Sequence, residues 1–236
     1  MMTTSELIHE YPVFSAAECA EIREVIHRLR PHWVRRNLWA PFFTLGAASY
    51  LDAKRNHAEY DAFAEKYNPL LRENFADCYQ RVAALLEEAL GGPVVYTSRL
   101  ALPGFHVYLS SKLFERPIAS IHCDSQYQLH DWSGLDADLT RPISFTLSIA
   151  LPKNGGGLNV WDISYAELLE KSSNDTGPLV RSRESSYHAY RIGSMVLHSG
   201  HLLHQAAPGK DVQPDDERIT LQGHAIQISG IWNLYW

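Results

Sequence analysis

The sequence predicts an α+β fold that is mainly β. Helices come first, and a jelly-roll-style sandwich or barrel of about eight to ten strands follows. Two observations predict it. Apolar residues recur at helical spacing as far as Leu90, and Gly91-Gly92-Pro93 stops the run. From residue 94 the pattern changes to short β-branched and aromatic segments separated by Gly, Pro, Asn and Asp. With 236 residues the chain is long enough for one buried core. The expectation is a single domain over 1–236, with 1–93 a helical support region and 94–236 the jelly-roll core.

The elements follow in order. Ile8 to Phe14 reads as a short strand. Ser15-Ala16-Ala17-Glu18 is a capping box, in which hydroxyl and carboxylate satisfy the first free N–H groups of a helix. Cys19, Ile22, Val25, Ile26 and Leu29 give that helix its apolar face, and Pro31 ends it. A second helical region runs from about His57 to Leu90, with Pro69 interrupting or restarting it. Strands are expected near 94–99, 104–110, 118–123, 142–150, 157–161, 187–190, 194–198, 203–207, 217–228 and 231–235. The stretch 163–186 is polar, with Ser172-Ser173-Asn174-Asp175-Thr176-Gly177-Pro178 in its middle. It reads as a helix start followed by a mobile loop or lid.

Composition excludes several classes. With 21 Lys+Arg against 27 Asp+Glu the net charge is -6, so the basic stripe that nucleic acid requires is not expected. No apolar run reaches the roughly 18 residues of a membrane span. Cys19, Cys78 and Cys123 are odd in number and form no CxxC, and the N-terminus lacks the basic and apolar regions of a signal peptide. A cytoplasmic protein without a disulfide framework is expected.

Three segments carry chemistry. Ile121-His122-Cys123-Asp124 closes an expected strand, and alternation along a strand puts His122 and Asp124 on one face. A Gly-initiated apolar strand, Gly193 to His198, leads through a turn to His201 and to His204-Gln205-Ala206-Ala207-Pro208. Glu217-Arg218-Ile219-Thr220 opens an alternating strand with a cation on one face. Two imidazoles and one carboxylate with open positions suit a non-haem Fe(II) site. HxD alone is a weak signal; the ordered set is the specific one.

This ordered set resembles the 2-oxoglutarate/Fe(II)-dependent dioxygenase superfamily, its prolyl-hydroxylase-like branch in particular. Gly155-Gly156-Gly157-Leu158 fills the family's middle glycine slot, and Tyr11 to Cys19 looks like the family's opening strand and capped helix. The resemblance covers most of the chain. It implies a double-stranded β-helix core with the N-terminal helices packed on one sheet. It implies Fe(II) on His122, Asp124 and His204, with 2-oxoglutarate as co-substrate and O2 as oxidant. Arg218 is then the cation for the far carboxylate of 2-oxoglutarate, because its planar fork bonds a carboxylate bidentately. Thr220 adds a hydroxyl on the same strand face. The implied reaction is hydroxylation of an unactivated C–H of a small molecule (an amino acid, a peptide or a natural-product intermediate), releasing succinate and CO2. The C-terminal segment also resembles halogenases that lack the metal Asp. Asp124 is present here, so a hydroxylase or related oxidase is expected.

Other readings stay open at this level. His198, His201 and His204 compete as the distal ligand, and His-x-x-x-Pro favours His204. Tyr108 is a candidate for bonding 2-oxoglutarate, or a core Tyr with a satisfied hydroxyl. Gln126, Tyr127, His130, Asp131 and Trp132 either line a substrate mouth or pack internally. Arg99, Arg116 and Asn159 are candidates for holding a polar substrate, with solvated surface the bland reading of Arg116. Ile231 to Trp236 reads as a last edge strand, the alternative being an exposed aromatic tail serving a homodimer contact. The rival functions are a cupin-like metal-binding or sensor protein without turnover, and an oxygenase acting on a protein substrate.

Overall fold

The computed structural model describes residues 7–171 and 176–236. Strand β1 (Ile8–Pro12) leads into helix α1 (Ala16–Arg28). The capping box forms: Ser15 Oγ accepts from Glu18 N at 3.2 Å, and Ser15 N donates to the Glu18 carboxylate at 2.7 Å. Two short strands follow, β2 (Val34–Arg35) and β3 (Phe42–Leu45). The sequence reading missed both, because two to four residues are too few to show a period. Helix α2 (His57–Leu90) is capped by the Asn56 side chain. It ends on Gly91, whose φ of 66° is the left-handed conformation that favours glycine. The helix continues through Pro69, correcting the expected interruption. Its irregular residue is Phe75 (φ -132°, ψ 27°), buried against Phe105 with ring centroids 4.6 Å apart.

The β region comprises β4 (Val94–Tyr96), β5 (Gly104–Leu109), β6 (Ala137–Ala150), β7 (Leu158–Trp161), β8 (Ser185–His188), β9 (Ser194–Ser199), β10 (His204–Ala206), β11 (Glu217–Ile228) and β12 (Ile231–Tyr235). The larger sheet runs β1-β9-β6-β11-β5-β3-β2, with β12 pairing β11 and β4; β10-β7-β8 form a smaller sheet. Residues 118–123 do not form a strand. They contribute one antiparallel bridge, His122 to His204. Between β7 and β8 lie two short helices: α3 (Tyr165–Leu169), where a helix start was expected, and α4 (Thr176–Arg181), where a loop was expected. Leu168, Leu179 and Val180 pack there against Trp161, Ile163 and Leu203. Residues 172–175 of that expected loop lie outside the described residues. Among the described residues no helix is long and apolar enough to cross a membrane.

Period-2 alternation divides the larger sheet into two faces. Phe105, Val107, Phe145, Leu147, Met195, Leu197, Ile219 and Leu221 face the helices, meeting Ile26, Leu71, Phe75, Val82 and Leu86 in the main core. The intervening residues, His106, Tyr108, Thr146, His198, Arg218, Thr220 and Gln222, line a cavity on the opposite face. This is a mainly antiparallel jelly-roll core with the N-terminal helices packed on one sheet. The C-terminal segment is internal: Tyr235 and Trp236 are buried, and the Trp236 carbonyl accepts from Ser49 Oγ and Tyr60 Oη. This corrects the edge-strand reading, since β4 lies outside β12, and removes the exposed aromatic tail.

Candidate active site

Backbone pairing assembles the site. His122 N donates to His204 O and His204 N to His122 O, both at 2.9 Å, while Asp124 N donates to Gly200 O at 2.7 Å. The HxD segment is thereby fastened to the end of β9 and the start of β10, 82 residues further on in the case of His204. His122, Asp124 and His204 each present one ligand atom, and these atoms lie within 4.8 Å of one another. Asp124 and His204 are buried; His122 is partly open to the cavity.

The donor set fits a divalent metal. His122 Nδ1 is committed to Ser120 O and His204 Nδ1 to Leu202 O, each at 2.9 Å, which leaves both Nε2 atoms turned inward. Asp124 Oδ2 is buried without a partner. It lies 3.7 Å from His204 Nε2, and Oδ1 lies 3.5 Å from His122 Nε2. Burial lowers the His204 pKa to about 4, so its imidazole is neutral near pH 7. Burial acts to raise that of Asp124, but the surrounding imidazoles outweigh it and hold the carboxyl well below its usual range. For His122 burial acts downward, and its bond to Asp124 and that carboxylate's charge more than offset it. Two imidazoles and one carboxylate are the donor types of a facial Fe(II) triad.

The competing histidines are placed elsewhere. His201 Nε2 meets the Tyr127 hydroxyl at 3.0 Å, and its ring stacks on Tyr165 at 3.9 Å between centroids. His198 is buried beside His204, with ring centroids 5.0 Å apart and Nδ1 on Ser199 O.

Arg218 shares the cavity with the triad. Its Nε donates to Gly156 O at 3.1 Å, and its guanidinium lies 5.6 Å from the Tyr108 ring and 5.7 Å from that of Tyr190. Gly156 belongs to the glycine slot and has φ +75°. Thr220, two residues along β11, is buried on the same face. Tyr108 stacks on Phe42 at 4.3 Å beside Arg218. The cavity measures about 680 Å³.

The remaining candidates divide. Gln126 lines the cavity and donates from Nε2 to Asp124 Oδ1 at 3.1 Å, and Arg116 also lines it. Tyr127 packs with Ile226 and Tyr235, and Trp132 Nε1 donates to Tyr127 O. His130 Nε2 lies 2.8 Å from Ser49 Oγ, and Asp131 accepts from Ser133 N in an exposed turn. Asn159 bonds Gln205, and Arg99 is exposed away from the cavity. Sequence reasoning missed Arg36, Phe42, Tyr50 and His106. Arg36 grips Asp52 bidentately at the cavity wall, and Tyr50 Oη meets His106 Nε2 at 2.7 Å. A signal for His106 existed: it faces Thr220 in the ladder, so one polar alternation spans both strands.

No protein-family model matches the sequence, and no curated protein sequence is similar to it. Solved structures do match. The chain has the fold of the non-haem 2-oxoglutarate-dependent oxygenases. One such structure is an N-substituted L-amino acid dioxygenase from Burkholderia ambifaria AMMD, with TM-score 0.62 and 16% identity over 98% of this chain and 86% of that one. The same dioxygenase in complex with α-ketoglutarate aligns with TM-score 0.61 and 13% identity, over the same shares of the two chains. The non-haem α-ketoglutarate-dependent epimerase SnoN from nogalamycin biosynthesis aligns with TM-score 0.53 and 17% identity, over 94% of this chain and 81% of that one.

Proposed function

We propose that this chain is an Fe(II)- and 2-oxoglutarate-dependent oxygenase that hydroxylates a small molecule. The observation that carries the reading is the triad itself: two oriented imidazoles and an unpartnered buried carboxylate oxygen in one cavity with Arg218. His122 and His204 would hold the iron through Nε2 and Asp124 through Oδ2. Arg218 and Thr220 would hold the far carboxylate of 2-oxoglutarate, with Tyr108 beside them. Bound together, iron and 2-oxoglutarate supply O2 activation coupled to loss of CO2. The protein contributes placement and charge state. Gly156 O fixes the reach of Arg218, while burial keeps His204 neutral and the imidazoles keep Asp124 anionic. A cavity of about 680 Å³ lies within the range of small-molecule pockets, about 300–1,000 Å³. An amino acid, a peptide or a natural-product intermediate fits that volume, and the similarity to an amino acid dioxygenase and to SnoN supports the class.

The test is anaerobic titration with Fe(II) and 2-oxoglutarate, watched for the visible charge-transfer band of the chelate. Wild type and His201→Ala should show the band, and His204→Ala should not. A metal-replete wild type without a band sinks the reading in favour of a metal-binding protein without turnover.

A further inference from the structure

We infer that Gln126 is a positioning residue that selects which oxygen of Asp124 binds the iron. The inference rests on the reading that the triad holds Fe(II). Each triad side chain is oriented by one hydrogen bond from an atom other than the one assigned to the metal. For His122 and His204 the partner is a backbone carbonyl, that of Ser120 and that of Leu202. For Asp124 it is the Gln126 amide, whose Nε2 donates to Oδ1 at 3.1 Å. Oδ2, the oxygen that Gln126 does not hold, is the one left buried and unpartnered. Partners of this kind fix ligand orientation and sustain metal affinity.

Stability alone does not account for the arrangement. Gln126 is 8% exposed, and its Oε1 is buried with no partner. A buried acceptor left unpaired loses its hydration without replacement, which is destabilising. Flipping the amide would set Oε1 against the Asp124 carboxylate, oxygen to oxygen, so the Nε2 contact fixes the amide's sense. The side chain therefore keeps one end unsatisfied in order to hold Asp124 with the other. Its backbone is close at hand: Gln126 opens the 3₁₀ turn Gln126–Leu129, two residues after Asp124.

The experiment is Co(II) titration of the metal-stripped full-length chain, followed by the visible d–d spectrum, in wild type and in Gln126→Met. Met keeps the length of the side chain and removes the donor. The expected result is a Co(II) dissociation constant weakened roughly 10–100-fold, with a changed d–d band, while the circular dichroism of the metal-free variant matches wild type. An unchanged dissociation constant and band in Gln126→Met overturn the inference and leave the iron reading standing. A wild type that binds no Co(II) overturns both. If Gln126→Met does not fold, Gln126→Leu, which also removes the donor and carries no acid that could take up a proton or bind the metal, is measured in its place with the same expectation.

Discussion

Arg218 reaches the cavity from β11 with its Nε already spent on Gly156 O, so its outer nitrogens are the ones left for the proposed carboxylate. Replacing it by Lys removes the planar fork and keeps the charge. A lost hydrogen bond to a charged group is worth about 1.5–3 kcal/mol. Arg218→Lys should therefore raise KM for 2-oxoglutarate roughly 10–100-fold, measured as succinate formed against 2-oxoglutarate concentration. Thr220→Val removes one neutral donor and should raise KM only severalfold. Equal KM values in wild type and Arg218→Lys would place the carboxylate elsewhere. The residues in these predictions were legible in the sequence because the chemistry restricts both their types and their order. His-x-x-x-Pro already favoured His204 over His201, and in the fold the one pairs with His122 while the other stacks on Tyr165. Gln126 was visible only as a neighbour of the motif. Its contact with Asp124 is a matter of side-chain direction, which spacing does not encode.

At the scale of elements, local chemistry was the legible part. Both ends of the helical region were readable from Ser15, Glu18 and Gly91, because caps are contacts between near neighbours in sequence. Ser15→Ala should cost about 1 kcal/mol in urea unfolding. The bonds that Glu18 makes to Ser15 and Arg81 lower its pKa to about 2. That contribution is present above the ordinary carboxylate range and is lost as pH falls toward 2. Pairing of distant segments was less legible. Residues 118–123 carry strand-like residues but find only one bridge, because β10, the strand beside them, is three residues long. Close packing was not legible at all. A Cβ at Gly104 would overlap the Trp236 ring and lie 2.8 Å from the Leu45 carbonyl oxygen. Gly104→Ala should therefore destabilise the chain by about 1–3 kcal/mol through overpacking, seen as a lower urea midpoint. Nothing near Gly104 in the sequence announces Trp236.

At the scale of the whole molecule, the jelly roll buries an unusual set of bases. Burial lowers the pKa of His106 to about 3 and those of His130 and His204 to about 4, and it lowers those of His198 and His224 as well. In the unfolded chain each would titrate near 6.5. Below that pH the unfolded state takes up protons that the folded state refuses, so stability falls as pH drops. The contribution is fully present above about pH 6.5 and is lost progressively toward the folded pKa values. Each fully neutral histidine forfeits up to about 2 kcal/mol by pH 5. His122, whose pKa is raised, acts in the opposite sense. The lowered carboxyls of Glu18 and Asp138 enter only below about pH 4.5, so the two windows are separate. In metal-free protein the urea midpoint should hold steady from pH 8 to 7 and fall between pH 6.5 and 5. A midpoint that stays flat to pH 5 would mean that these imidazoles are protonated inside the fold, and the neutral state of His106, His198 and His204 in the cavity would have to be abandoned.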